Sequence, residues 1–225
     1  MGMRYPFEFE IAGPLAIFNQ PEASPFYLSY PAPTISCVEA WIKNTAYLDG
    51  ALPVIQTVKI CRPTKYYRYN FENTGTGRYK PNVTNGDADI HLAICLEDVR
   101  FQVAGYFENS RIFRKDRITT NPAHCYQRMF KRNLRRGRCR QSPHLGWKEF
   151  QASYFGPVLP DTKPENINTF LVDMIARPFG AFSSKSPGAN NPPRRIKLLQ
   201  ITNGTINYEP FYTDPGFSYS IPEKP

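Results

Sequence analysis

A histidine, a cysteine and a dense run of cations share the stretch Asn121–Phe150, "NPAHCYQRMFKRNLRRGRCRQSPHLGWKEF". From Arg128 to Arg140 seven of thirteen residues are Arg or Lys, and no acidic residue falls between Gln127 and Trp147. Cations in such a run neutralise successive phosphates of a nucleic acid and release counterions, so binding weakens steeply as salt rises. The competing reading is a solvated basic face. His124 heads the run. An imidazole titrates near neutral pH and serves as general acid or base. His124 is thus either a proton-transfer residue or one more phosphate contact. Cys125 beside it offers a soft nucleophile with no part in 2′-hydroxyl attack, and packing at the core edge suits it better.

The element that must carry these residues is a helix over 122–136. Asn121 suits an N-cap, Pro122 a first helical position and Gly137 a stop. Tyr126, Met129, Phe130 and Leu134 fall at i, i+3, i+4 and i+8 and form an apolar stripe. On a wheel of 100° per residue His124, Arg128, Lys131 and Arg135 take the opposite face, flanked by Arg132 and Arg136. Arg138 and Arg140 continue this ridge past Gly137, and Lys148 is a further phosphate candidate.

A second interleaved segment is 64–88, where Tyr66, Tyr67, Tyr69, Phe71 and Tyr79 alternate with Lys65, Arg68, Arg78 and Lys80. Aromatic faces stack on bases while cations meet phosphates, so a single strand is one partner for it. The equal alternative is a projecting loop or hairpin whose rings pack on the body. His91 and His144 read as structural or turn residues, and Trp147 as core.

Around these segments, Arg4–Ile11 alternates with period two, a half-buried strand. Residues 13–33 read as a strand fragment and an extended loop. Thr34 caps a helix whose Val38, Trp41, Ile42 and Thr45 share one face, with Glu39 early in it. Residues 53–63 form a β-branched strand bounded by prolines. Residues 91–109 form one strand, or two joined by a bend at Glu97–Asp98. Residues 170–176 suit a buried strand and 177–195 a loop. "IKLLQITNGTINYEP" is a strand, an Asn-Gly turn and a second strand, and the last fifteen residues read as extended. This order predicts an α+β fold of the ferredoxin or RNA-recognition type, with helices on one face of the sheet.

The 225 residues, 41% hydrophobic and 14% aromatic, suit one domain or a domain with an appendage. The formal charge of +9 favours a polyanionic partner. The five cysteines are odd in number and lack a CxxC pair, the N-terminus has charges where a signal peptide is apolar, and no apolar run is long enough for a membrane span. These features predict a cytoplasmic protein with reduced thiols, no metal, no cofactor and no membrane association.

Several stretches together resemble the CRISPR-associated Cas-five family, type I-C branch: "RYPFEFEIAGPLAIFNQPE" its opening strand and turn, "LSYPAPT" the lead into its first helix, the 121–150 run its central motif, and "NGTINYEP" its closing hairpin. The resemblance covers most of 4–155 and a piece near 198–210. It implies a RAMP domain over 1–155, of modified ferredoxin-like type, and a small β-rich extension over 156–225. It implies binding to the repeat-derived 5′ handle of guide RNA, contact with the backbone and large subunits of the Cascade complex, and a position near target DNA at the protospacer-adjacent motif. It also implies an endoribonuclease activity on precursor CRISPR RNA, in antiviral defence. The cutting members use a Tyr near the end of the first helix and a Lys-His pair opening the later one. Carried over, the Tyr position falls on Ala46, with Tyr47 next to it, the Lys position on His124 and the His position on Cys125. Tyr47 and His124 are the residues from which a catalytic site would have to be rebuilt.

Overall fold

Alternation of apolar and polar residues builds the first strand, β1 (Tyr5–Ala16), with Phe7, Phe9 and Ile11 buried on one face. The computed structural model describes residues 4–20, 23, 26–48, 50–73, 89–109, 120–165, 171–176 and 195–212. The two-residue β2 (Tyr27–Leu28) leads to α1 (Ile35–Thr45), where the Thr34 hydroxyl accepts from the Cys37 amide and caps the helix. Next come β3 (Ala51–Ile60), β4 (Lys65–Asn73) and β5 (Asp89–Asn109). After α2 (Pro122–Arg135) follow β6 (Tyr154–Gly156), β7 (Leu171–Ala176), β8 (Arg195–Thr202), β9 (Thr205–Asn207) and the one-turn α3 (Glu209–Tyr212).

The sheet runs β6-β1-β5-β3-β9-β8-β7, every neighbouring pair antiparallel. β5 is its spine. Its second half lies between β1 and β3, while its first half extends beyond them and pairs with β4 and, in parallel, with β2. The two halves meet at Asp98, whose φ of 50° provides the bend and whose carboxylate pairs with Arg62. The bend therefore interrupts one long strand without dividing it. Residues 65–73 and 89–97 pair as antiparallel strands.

Helices α1 and α2 cover one face of the sheet. Trp41 meets Phe9 edge-on, Phe107 stacks on Tyr126 at 4.3 Å, and Phe130 lies among Phe7, Phe9 and Phe107. Rings in such offset and edge-on arrangements each bury large apolar area. On the other face Glu10, fully buried, pairs with Arg100 and accepts from Gln102, the Leu159 amide and Thr162. That network ties residues 157–165 across the sheet, and the Glu165 amide donates to the Ile60 carbonyl at 2.8 Å. A buried carboxylate is tolerated only when its oxygens are satisfied in this way.

The last residues correct one expectation: Phe211 and Tyr212 belong to α3 and are not extended, because Phe211 is drawn into the core and the Tyr212 hydroxyl accepts from the Ile55 amide. Asn203 and Gly204 both take positive φ, as a tight hairpin turn between β8 and β9 requires. The expected loop over 177–195 lies outside the described residues apart from Arg195, which opens β8.

Candidate nucleic-acid interface

The ridge begins with a well-capped helix. The Asn121 side chain accepts from the Ala123 and His124 amides at 3.1 and 3.4 Å, and Pro122 occupies the first turn. At the other end Arg136 closes the helix and Gly137 takes φ 61°. Tyr126, Phe130 and Leu134 are buried and Met129 packs at their edge, so the apolar stripe fixes the helix's rotation. Arg128, Lys131, Arg132, Arg135 and Arg136 are exposed on the outer face, and exposed Arg138 follows them. Among the described residues no carboxylate pairs with any of these six. The ridge is therefore an uncompensated positive strip. The bland contribution of Arg132 and Arg135 is real as well, since cations in a last turn complement the helix dipole.

Past the helix the chain turns back onto the end of α1. The Arg140 amide donates to Asn44, Asn44 exchanges hydrogen bonds with Gln141, and Asn133 donates to Thr45. The Arg140 guanidinium lies 5.9 Å from the centre of the Tyr47 ring. Ala46 is buried, and its carbonyl accepts from the Tyr126 hydroxyl at 2.8 Å. Burial holds the Tyr126 phenol well above its ordinary pKa, so it stays a neutral strut. His124, by contrast, is half-buried with its ring 5.3 Å from that of Tyr5, and the Tyr5 hydroxyl accepts from Asn121 at 3.1 Å. The two residues singled out for proton transfer thus have different ring neighbours: Tyr47 has Arg140, and His124 has Tyr5. Cys125 is half-buried next to them.

Tyr5 was missed from sequence. The signal was present, because Tyr5 lies two residues before Phe7 and so continues β1's inward face to the first turn of α2.

Along β4, Lys65, Tyr66, Tyr67 and Arg68 are exposed, whereas Tyr69 meets Phe150 edge-on at 5.2 Å and packs on the body. Tyr79, Arg78 and Lys80 lie outside the described residues. Trp147 stacks on Phe150 and meets Tyr27, which places it in packing, and Lys148 is exposed in the same turn. The His144 carbonyl accepts from the Trp41 indole at 2.7 Å. A groove of about 510 Å³ opens beside the ridge, with Lys131 and Arg135 on one wall and Glu8, Gln56 and Pro157 among its other lining residues.

The thiols are chemically quiet where their environment is resolved. Burial pushes Cys37 up to about 12 and Cys61 and Cys95 to about 11, so none is a thiolate at neutral pH. Among the described residues no helix is long and apolar enough to cross a membrane.

No family model matches the chain. A CRISPR pre-crRNA endoribonuclease Cas5d of Thermus thermophilus is 25% identical over 167 residues, 74% of this chain and 70% of that protein. A CRISPR-associated protein of known crystal structure superposes with a TM-score of 0.63 at 17% identity, covering 92% of this chain and 94% of the other. The chain resembles a Cas5d protein in sequence and a CRISPR-associated protein in fold. A protein of Streptococcus mutans shares the fold equally well, with a TM-score of 0.63 at 19% identity and the same coverage. A chain from a CRISPR RNA-guided surveillance complex superposes at a TM-score of 0.50 and 13% identity, covering 91% of this chain and 92% of its own length.

Proposed function

We propose that this chain is the subunit of a type I CRISPR interference complex, of the I-C kind, that grips the repeat-derived 5′ handle of guide RNA. The observation that carries this is the outer face of α2, where Arg128, Lys131, Arg132, Arg135 and Arg136 stand exposed, without acidic partners among the described residues, and lead into Arg138. Their spacing suits consecutive phosphates. Lys65, Arg68, Tyr66 and Tyr67 on the β4–β5 hairpin supply a second contact, stacking on unpaired bases. Arg78, Lys80, Arg140 and Lys148 extend these two surfaces.

The order β6-β1-β5-β3, with α1 and α2 as crossovers on one face, supports reading residues 1–155 as a ferredoxin-like RAMP domain. Residues 156–225 are its β-rich extension, joined to it through β9 on β3. The partners in this reading are the backbone and large subunits of Cascade and target DNA near the protospacer-adjacent motif, in the cytoplasm. The competing reading, precursor-RNA cleavage without a metal, is favoured by the endoribonuclease activity of the Thermus thermophilus relative.

The test is a competition between the CRISPR repeat hairpin of the protein's own locus and an unrelated hairpin of equal length. The repeat is expected to win by at least about tenfold at physiological salt, and equal affinities would point to a general basic RNA binder.

A further inference from the structure

We propose that the groove between α2 and the free edge of β1 takes an extended acidic segment of a partner protein, added as a short strand in line with β6. β6 pairs with β1 only from Glu10 to Ala12, so among the described residues no strand lies beside the edge over 6–9. The Ala12 carbonyl points to that edge, where it accepts from the Ser153 amide at 2.8 Å, and so does the Pro6 carbonyl, which accepts from the Gln127 side chain at 2.6 Å. Alternate residues of a strand turn their backbone groups to the same side. Glu8 is in step with both, so it presents its N–H and C=O to the groove, and among the described residues neither has a hydrogen-bond partner. The opposite wall is one line of α2. Gln127, Lys131 and Arg135 recur every fourth residue. Gln127 closes one end, while Lys131 and Arg135 line the groove of about 510 Å³ with Leu134, Phe7 and Val158.

This arrangement fits a polypeptide better than a phosphate backbone. An open strand edge answers another main chain in register. Glu8 is exposed in the same groove, and its carboxylate repels a phosphate chain that must pass it. A strand avoids that repulsion, because its pleat sends alternate side chains to opposite faces. Acidic residues at alternate positions meet Lys131 and Arg135, and apolar residues between them lie on the face of Glu8. The spacings agree: residues two apart on a strand are separated by about 6.7 Å, and residues four apart on a helix rise about 6 Å. The inference goes beyond the RNA reading. It gives the line of Lys131 and Arg135 to a protein and leaves Arg128, Arg132 and Arg136 to the guide RNA.

The test titrates the isotope-labelled full chain with a short capped peptide that alternates aspartate with valine, read by amide NMR shifts and by fluorescence anisotropy. Shifts are expected at Phe7, Glu8 and Val158 and not at Lys65, Tyr66, Tyr67 or Arg68 on β4. The same peptide with lysine for aspartate should bind at least about tenfold more weakly, and so should the aspartate peptide N-methylated along its backbone. Lys131→Glu with Arg135→Glu should reverse the preference to the lysine peptide, whereas Arg128→Glu with Arg132→Glu should leave the aspartate peptide's affinity within about twofold. No shift at Glu8 with millimolar peptide overturns the proposal, and equal binding of the aspartate and lysine peptides, or of the N-methylated one, does the same. A Lys131→Glu, Arg135→Glu chain that loses the repeat RNA, when wild type binds no peptide, gives the groove to RNA and overturns the proposal while the RNA reading stands. Peptide binding as expected with no affinity for the repeat RNA supports the groove and removes the RNA reading alone.

Discussion

Glu39 lies on the inner side of α1, 7% exposed, with Lys43 one turn away at 3.8 Å. Burial outweighs that partner and raises its carboxyl from 4.5 to about 7. Below pH 4.5 the group is protonated whether the chain is folded or not. Between pH 4.5 and 7 the unfolded chain releases the proton and the folded chain keeps it, so stability falls as pH rises through that window. Glu39→Gln should therefore stabilise the protein at pH 8 by about 1–3 kcal/mol and leave it unchanged at pH 4, measured by urea unfolding at both. Equal stability of the two proteins at pH 8 would show that Lys43 compensates the burial. In the sequence Glu39 passes for an ordinary acid early in a helix. Only the depth of α1 against the rest of the molecule reveals its burial, and depth is not encoded in a 3.6-residue period. Tyr5 escaped notice for a related reason: its strand face was readable, but its meeting with His124, more than a hundred residues later in the chain, was not.

At the scale of elements the sequence was most legible where local chemistry decides. Thr34 and Asn121 cap their helices, Gly137 ends α2, and Asn203–Gly204 turns β8 into β9. The basic ridge followed from the helical period alone, because the apolar stripe leaves one outward face. The length of β5 was less legible, since its bend at Asp98 breaks the alternation in the middle of a continuous strand. The turn after α2 shows how a glycine fixes the docking of an element. Gly146 has φ 95°, and a Cβ there would collide with the Ile17 carbonyl, whose own amide donates to Leu145 at 2.9 Å. Gly146→Ala should cost about 2–4 kcal/mol in chemical denaturation. Gly137→Ala, with φ 61° but open space around its Cβ, should cost only about 1 kcal/mol. Similar losses at both sites would mean that the 145–150 turn is not held by this close approach.

For the molecule as a whole, the +9 charge named a class of partner, and the fold shows where much of that charge is aimed. Sheet and helices bury the aromatic residues between them, and the strap over Glu10 covers part of the opposite face. The outer surface of α2 is left as a positive strip, uncompensated among the described residues, beside the groove lined by Lys131 and Arg135. Composition could not show that separation of charge from core, because it arises only when β1, β5 and the helices are brought into one stack.

The measurement that tests the RNA grip most directly is the salt dependence of repeat-RNA binding by wild type and by a variant with Arg128, Arg132 and Arg135 all changed to Glu. These side chains point away from the apolar stripe, so the variant should keep the wild-type circular dichroism spectrum and melt. A ridge engaging about five phosphates gives a slope of log K against log salt near about −4. The variant should lose measurable affinity, or bind weakly with a slope shallower by about 2–3. A folded variant that binds the repeat with the wild-type affinity and slope would contradict the account and place the RNA elsewhere on the molecule.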